Sequence, residues 1–189
     1  MEREVVWAQW NGEALEHLRL TVDAAGIAAD GVIVGVEDDG QPFRLRYRVR
    51  CDPGWRVREV DVDPLRPGAS SIALRADGAG RWTTADGEPV PALDGCLDVD
   101  IRVTPFTNTL PIRRLAPRPG EARELAVAYV AAPRMEVTPV RQRYTCLEAR
   151  PDGGLYRYEG FSTGFVADLP VDADGLVLDY PGVFRRVRP

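Results

Sequence analysis

"FRLRYRVRCDPGWRVREVDVD", residues 43–63, reads as two alternating runs on either side of a turn. In the first run Leu45, Tyr47, Val49 and Cys51 fall on one side, and Arg44, Arg46, Arg48 and Arg50 on the other. An extended chain sends successive side chains to opposite faces, so period two with one charged side marks a strand with one wet face, the habit of antiparallel sheets. Asp52-Pro53-Gly54-Trp55 supplies the turn, with proline at its second position and glycine at its third. A two-residue loop at Pro53-Gly54 predicts a register: Arg48 opposite Glu59, Arg46 opposite Asp61, Arg44 opposite Asp63, Leu45 against Val62 and Tyr47 against Val60. Opposite charges and apolar groups then match, at about 0.2–1 kcal/mol per pair. The arginine stripe is therefore read as a salt-bridged outer face rather than a phosphate site. Arg56 and Arg58 fall on the Leu45 side, which predicts a bulge or strong twist near the tip.

The same alternation recurs along the chain, punctuated by 18 Gly and 16 Pro. HLRLTVD (17–23) and LDVDIRV (97–103) each separate apolar from polar residues, and further strands are predicted at 4–10, 31–37, 55–62, 70–76, 80–84, 136–149, 155–167 and 175–180. ELAVAYVAA (124–132) is apolar on both faces and reads as a central, doubly covered strand. No amphipathic pattern of helical period stands out. The fold expected is all-β and mainly antiparallel, a barrel or curled roll of about 10–13 strands with little helix. The 189 residues are read as one domain, 1–189.

Composition narrows the function. A net charge of −5 argues against a general affinity for nucleic acid or anionic membrane. All 24 basic residues are arginine, which rules out Schiff-base chemistry and a P-loop lysine. No run approaches the ~20 apolar residues of a transmembrane helix, and MEREVVWAQW lacks the layout of a signal peptide, so a cytoplasmic location is expected. Cys51, Cys96 and Cys146 are far apart and read as buried free thiols in a reducing compartment.

Catalytic sets are incomplete. His17 is the single histidine, on the polar face of its strand, so multi-histidine metal sites are excluded. Asp61/Asp63 and Asp98/Asp100 each place two carboxylates on one strand face, a pattern that suits a cation or acid–base work but more simply a solvent face. DADG (172–175) reads as a turn, and Gly31 and Gly35 in GVIVG as sites of curvature or close packing. No cofactor and no metal site is expected.

TPFTNTLPIRRL (104–115) departs from its surroundings. Pro105 and Pro111 bias Thr104 and Leu110 toward extended conformations, which argues against a regular helix. Thr107, Asn108 and Thr109 suit an irregular path held by side-chain bonds to backbone, while Phe106, Leu110 and Ile112 can anchor it. Of Arg113 and Arg114, adjacent in an extended chain, one turns inward and needs a partner, either an internal carboxylate or a ligand's head group.

The block LDGCLDVDIRVTPFTNTLPIRRL (93–115) resembles the signature of a bacterial family described as putative glycolipid-binding proteins, with GEALEHLRL (12–20), YRVRCDPGWRVREV (47–60), GRW (80–82), RYT (143–145) and GLVLDYPGVFRRV (175–187) agreeing in order. The resemblance implies a spiral β-roll, an incompletely closed antiparallel sheet around an apolar interior, and no catalytic residues. It makes the leading expectation a non-enzymatic binder of a lipid, glycolipid or similar amphiphile. Trp82, Tyr129, Tyr144, Phe161 and Phe165 are the candidates for lining acyl chains, and Thr107, Asn108 and Arg113, or Arg114 in its place, for the polar end. Two other readings stand beside it. One is an enzyme acting on a small amphiphile through Asp98 or Asp100 with Arg113. The other is an interaction module with a packed interior, using sheet edges or the 180–189 tail. Oligomeric state is not legible in the sequence.

Overall fold

The computed structural model describes residues 1–37 and 39–188. Fourteen strands among them form two sheets. The first starts as an antiparallel meander of β1 (Glu2–Gln9), β2 (Ala14–Asp23), β3 (Gly26–Val36), β4 (Pro42–Cys51), β5 (Val57–Pro64), β6 (Ile72–Ala76) and β7 (Trp82–Thr84). The second holds β8 (Asp98–Ile101), β9 (Ala122–Ala131), β10 (Glu136–Arg150), β11 (Gly153–Gly160) and β12 (Phe165–Asp172). The chain then returns to the first sheet as β13 (Asp179–Tyr180) and β14 (Phe184–Arg188), and β14 pairs with β1. The strand orders are β13-β14-β1-β2-β3-β4-β5-β6-β7 and β12-β11-β10-β9-β8, so both sheets keep free edges and no barrel closes. Inner faces of both sheets share one apolar core: Trp7, Leu18, Leu20, Tyr47 and Val49 from the first meet Val99, Ile101, Ala128 and Val130 from the second. No helix among the described residues is long and apolar enough to cross a membrane.

The β4–β5 hairpin has the expected faces but not the expected register. Arg46 stands opposite Asp63, Arg48 opposite Asp61 and Arg50 opposite Glu59, while Tyr47 meets Val62 and Val49 meets Val60. The loop is wider than two residues because the Asp52 carboxylate organises it, accepting hydrogen bonds from the amides of Gly54 (2.9 Å) and Arg56 (3.0 Å), with Trp55 at φ +63°. A register shift between Arg50 and Cys51 absorbs the difference. A slip of two residues leaves every side chain on its original face. The outer arginines are accordingly paired, Arg46 with Asp30, Arg48 with Asp63 (3.2 Å), and Arg75 with Asp61 (3.0 Å).

Gly31 serves close packing, as expected. The Tyr47 ring lies across it, and a Cβ at position 31 would sit 2.1 Å from Tyr47 Cε1. Gly31→Ala is therefore expected to destabilise the fold by about 1–3 kcal/mol through overpacking. A urea midpoint equal to that of the parent protein would contradict this.

Three expectations of secondary structure need correction. The run 155–167 is two strands and a turn, β11 and β12, because Gly160 and Gly164 flank a reversal. Of 175–180 only Asp179–Tyr180 is strand, with Val177 forming an isolated bridge to Val171. The third concerns 104–115, which is helical: a 3₁₀ turn at Phe106–Asn108 runs into α1 (Thr109–Leu115). Pro111 is tolerated because it lies in the first turn, where its missing N–H has no helical carbonyl to meet. Topology supplies the reason for a helix here. β8 pairs with β9 in parallel, and a parallel neighbour requires a crossover of a dozen or more residues, usually helical. The segment TPFTNTLPIRRL is that crossover.

Candidate functional site

β8 is covered on both faces, so Asp98 and Asp100 do not form the solvent face expected from the sequence. Val99 and Ile101 enter the common core, and Asp98 and Asp100 point to the other side, beneath the crossover. Asp98 is fully buried and receives a bidentate guanidinium from Arg114, with contacts of 2.6–3.2 Å. Burial pushes its carboxyl above the ordinary range and Arg114 pulls it back. Thus Arg114 turns inward. Arg113 stays exposed, its guanidinium 5.4 Å from the centre of the Trp55 ring and bonded to the Ala173 carbonyl.

The crossover spends most of its polar groups internally. The Thr104 hydroxyl donates to Glu16 (2.7 Å), Thr107 to Asp100 (3.2 Å) and Thr109 to the Gly175 carbonyl (2.9 Å). Asn108 Oδ1 accepts from the Tyr144 hydroxyl (2.8 Å). Glu16 is wholly buried on the inner face of β2, bonded by Tyr47 and Thr104, and its Oε2 meets no partner among the described residues. Burial raises its carboxyl to about 8, against the opposing pull of those two hydroxyls.

In front of this layer a cavity of about 520 Å³ opens between the sheets, lined by Ala14 and Phe43 of the first and by Asp100, Tyr129, Gln142 and Tyr158 of the second. Its walls are graded. Thr104, Asn108 and Gln142 are buried at 2–6% exposure, whereas Val36, Phe165, Arg102 and Arg141, which also line it, are exposed. Asp100 keeps some surface open to the cavity, yet burial raises its carboxyl above the usual range, opposed by bonds from Gln142 Nε2 (2.5 Å) and Thr107. The hydroxyls of Tyr129, Tyr144, Tyr158 and Tyr180 are raised by burial first and, among lesser causes, by the Asp100 carboxylate. Tyr158, Phe165 and Tyr180 pack against one another with ring centres 6.0–6.3 Å apart, forming an aromatic wall.

Of the residues singled out in the sequence, Asp100, Asn108, Tyr129 and Phe165 line this cavity. Thr107 and Tyr144 lie behind it, holding Asp100 and Asn108. Trp82 is sealed in the core, its indole N–H on the Cys96 carbonyl. Phe161 is exposed beneath the guanidinium groups of Arg141 and Arg143. Asp98 and Arg113 do not converge with Asp100, since Asp98 is taken by Arg114. Sequence reading passed over Glu16, Gln142, Tyr158 and Tyr180. Parity could have found two of them: Glu16 shares its face with Leu18 and Leu20, and Gln142 with Tyr144 and Cys146.

The profile of the family described as "Putative glycolipid-binding" matches residues 4–186. The chain belongs to this family. A search of curated proteins found no match. Among solved structures, a DUF1089 family protein from Pseudomonas aeruginosa, determined by crystallography at 1.80 Å, is 42% identical, with a TM-score of 0.83 over 93% of this chain and 92% of its own. A β-barrel-like protein of the DUF1849 family from Brucella abortus superimposes with a TM-score of 0.56 at 7% identity, over 100% of this chain and 95% of its own, a likeness of fold alone.

Proposed function

We propose that this protein is a non-enzymatic binder of a glycolipid or similar amphiphile, held in the cavity between its two sheets. The observation that carries the reading is the cavity's mixed lining: an aromatic and aliphatic wall with a few convergent polar groups, in a volume of about 520 Å³. Ligand sites for partly apolar molecules are built this way, at roughly 300–1,000 Å³. The family description points in the same direction. Asn108 with Asp100 and Gln142 takes the polar end, and Tyr129 and Phe165 the apolar part. A cytoplasmic setting accompanies the proposal, since Cys51, Cys96 and Cys146 are buried free thiols. A fully packed interior, the structural-module reading, has to account for this opening.

Native mass spectrometry of gently purified protein, with solvent extraction of whatever leaves on denaturation, tests the reading. The expected result is a stoichiometric adduct, or uptake of a fluorescent polyene fatty alcohol with about micromolar affinity. A bare mass that stays unchanged in cellular lipid extract, together with no uptake of the probe, would remove the proposal.

A further inference from the structure

The cavity carries polar groups in its buried lining that a pocket built only to swallow an apolar chain does not need. Thr104, Asn108 and Gln142 are buried in its lining beside Ala14 and Phe184, with Asp100 half-buried among them, whereas Val36 and Phe165 stand exposed at the rim with Arg102, Arg141, Ser162 and Thr163. The enclosed groups are a carboxyl, two amides and hydroxyls. The guanidinium of Arg114, on the crossover, is committed to Asp98. Arg102 and Arg141, which line the cavity, are exposed, and Arg141 is paired with Glu124 at 2.7 Å. An anionic head pressed into the enclosed end would join a carboxyl in a desolvated site, and a buried charge without its partner is strongly disfavoured. Uncharged hydroxyls meet no such penalty. Each can donate to Asp100 and accept from a tyrosine hydroxyl or from the second hydrogen of Asn108 Nδ2, whose first is on the Pro105 carbonyl, and bonds to a charged group are stronger than those between neutral ones.

We infer that the ligand enters head first: an uncharged, hydroxyl-rich group is held at the enclosed end by Asp100, Asn108 and Gln142, and the apolar chain lies along Phe165 toward the rim. The inference rests on the cavity-binding reading above and adds the ligand's direction and the charge of its head. Asp100 is then the residue that selects the head, and the chain end stays within reach of solvent or of an acceptor membrane.

An alkyl glucoside bearing a fluorophore at its chain terminus, with the alkyl alcohol of the same chain and fluorophore as its control, tests this on the full-length protein. The expected result is that the glucoside binds, that iodide still quenches the bound fluorophore, and that Asp100→Asn weakens the glucoside by about tenfold or more while leaving the alcohol unchanged. If Asp100→Asn does not fold, Tyr180→Phe decides in its place, with a several-fold loss confined to the glucoside. A bound fluorophore shielded from iodide, a variant that weakens both probes or neither, or an alcohol that binds where the glucoside does not would overturn the orientation and leave cavity binding standing. Failure of both probes to bind overturns the cavity reading, and this inference with it.

Discussion

Arg114→Ala is expected to destabilise the protein by about 3–5 kcal/mol, a large share of the stability of a domain this size. Asp98 has no exposed surface and Arg114 little, and three hydrogen bonds of 2.6–3.2 Å join them. Removing the guanidinium leaves a carboxyl in the interior with neither water nor a cation, so the penalty is the desolvation of Asp98 rather than the worth of the pair. Replacing both partners with apolar residues of similar volume, Asp98→Leu with Arg114→Met, is expected to recover most of the loss. Urea denaturation of the two variants checks this. A cost below about 1 kcal/mol for Arg114→Ala would place the pair among surface salt bridges and refute its burial.

Glu16→Gln is expected to change the pH dependence of stability more than its value in acid. Burial raises the Glu16 carboxyl from its ordinary 4.5 to about 8 in the folded protein, so between those values the folded chain binds a proton that the unfolded chain has released. Stability from this residue is complete below about pH 4.5 and is lost as pH rises toward 8, by up to about 5 kcal/mol at 1.36 kcal/mol per unit. Glutamine does not ionise, so the variant's advantage over the parent grows across that window. Asp30 and Asp168, whose carboxyls are lowered by Arg46 and Arg157, slope the other way, and they cancel when the two proteins are compared at each pH. A difference in urea midpoint that stays flat from pH 5 to pH 8 would show that Glu16 is solvated.

Much of the fold was legible because antiparallel strands state their faces locally. In β4 each alternate side chain is committed to core or solvent within a stretch of Pro42–Cys51, and Leu45, Tyr47 and Val49 are all fully buried while their arginine neighbours face out. The hairpin register failed by two residues for an equally local reason, since one Asp52 carboxylate that binds two amides outranks the turn preference of Pro53-Gly54. The helix at Thr109–Leu115 was missed because its cause is remote: it exists to bring β9 alongside β8 in parallel, and nothing in residues 104–115 announces that pairing.

Which residues form the candidate site was less legible. Asn108, Tyr129 and Phe165 could be singled out from residue type and position, but Arg113 and Arg114 differ by one place in sequence and by their whole environment in space, one resting on Trp55 and the other buried on Asp98. By itself the sequence determined the class of fold, the wet and dry faces of most strands and the family, because each follows from alternation, turn chemistry or a motif carried by neighbouring residues. Only the tertiary structure decided the crossover helix, the inward arginine, the buried Glu16 and the cavity with its polar end enclosed. These depend on contacts between residues far apart in the chain, such as Glu16 with Thr104 and Asp100 with Gln142, and the cost of burying a polar group is set by what packs around it, not by what precedes it.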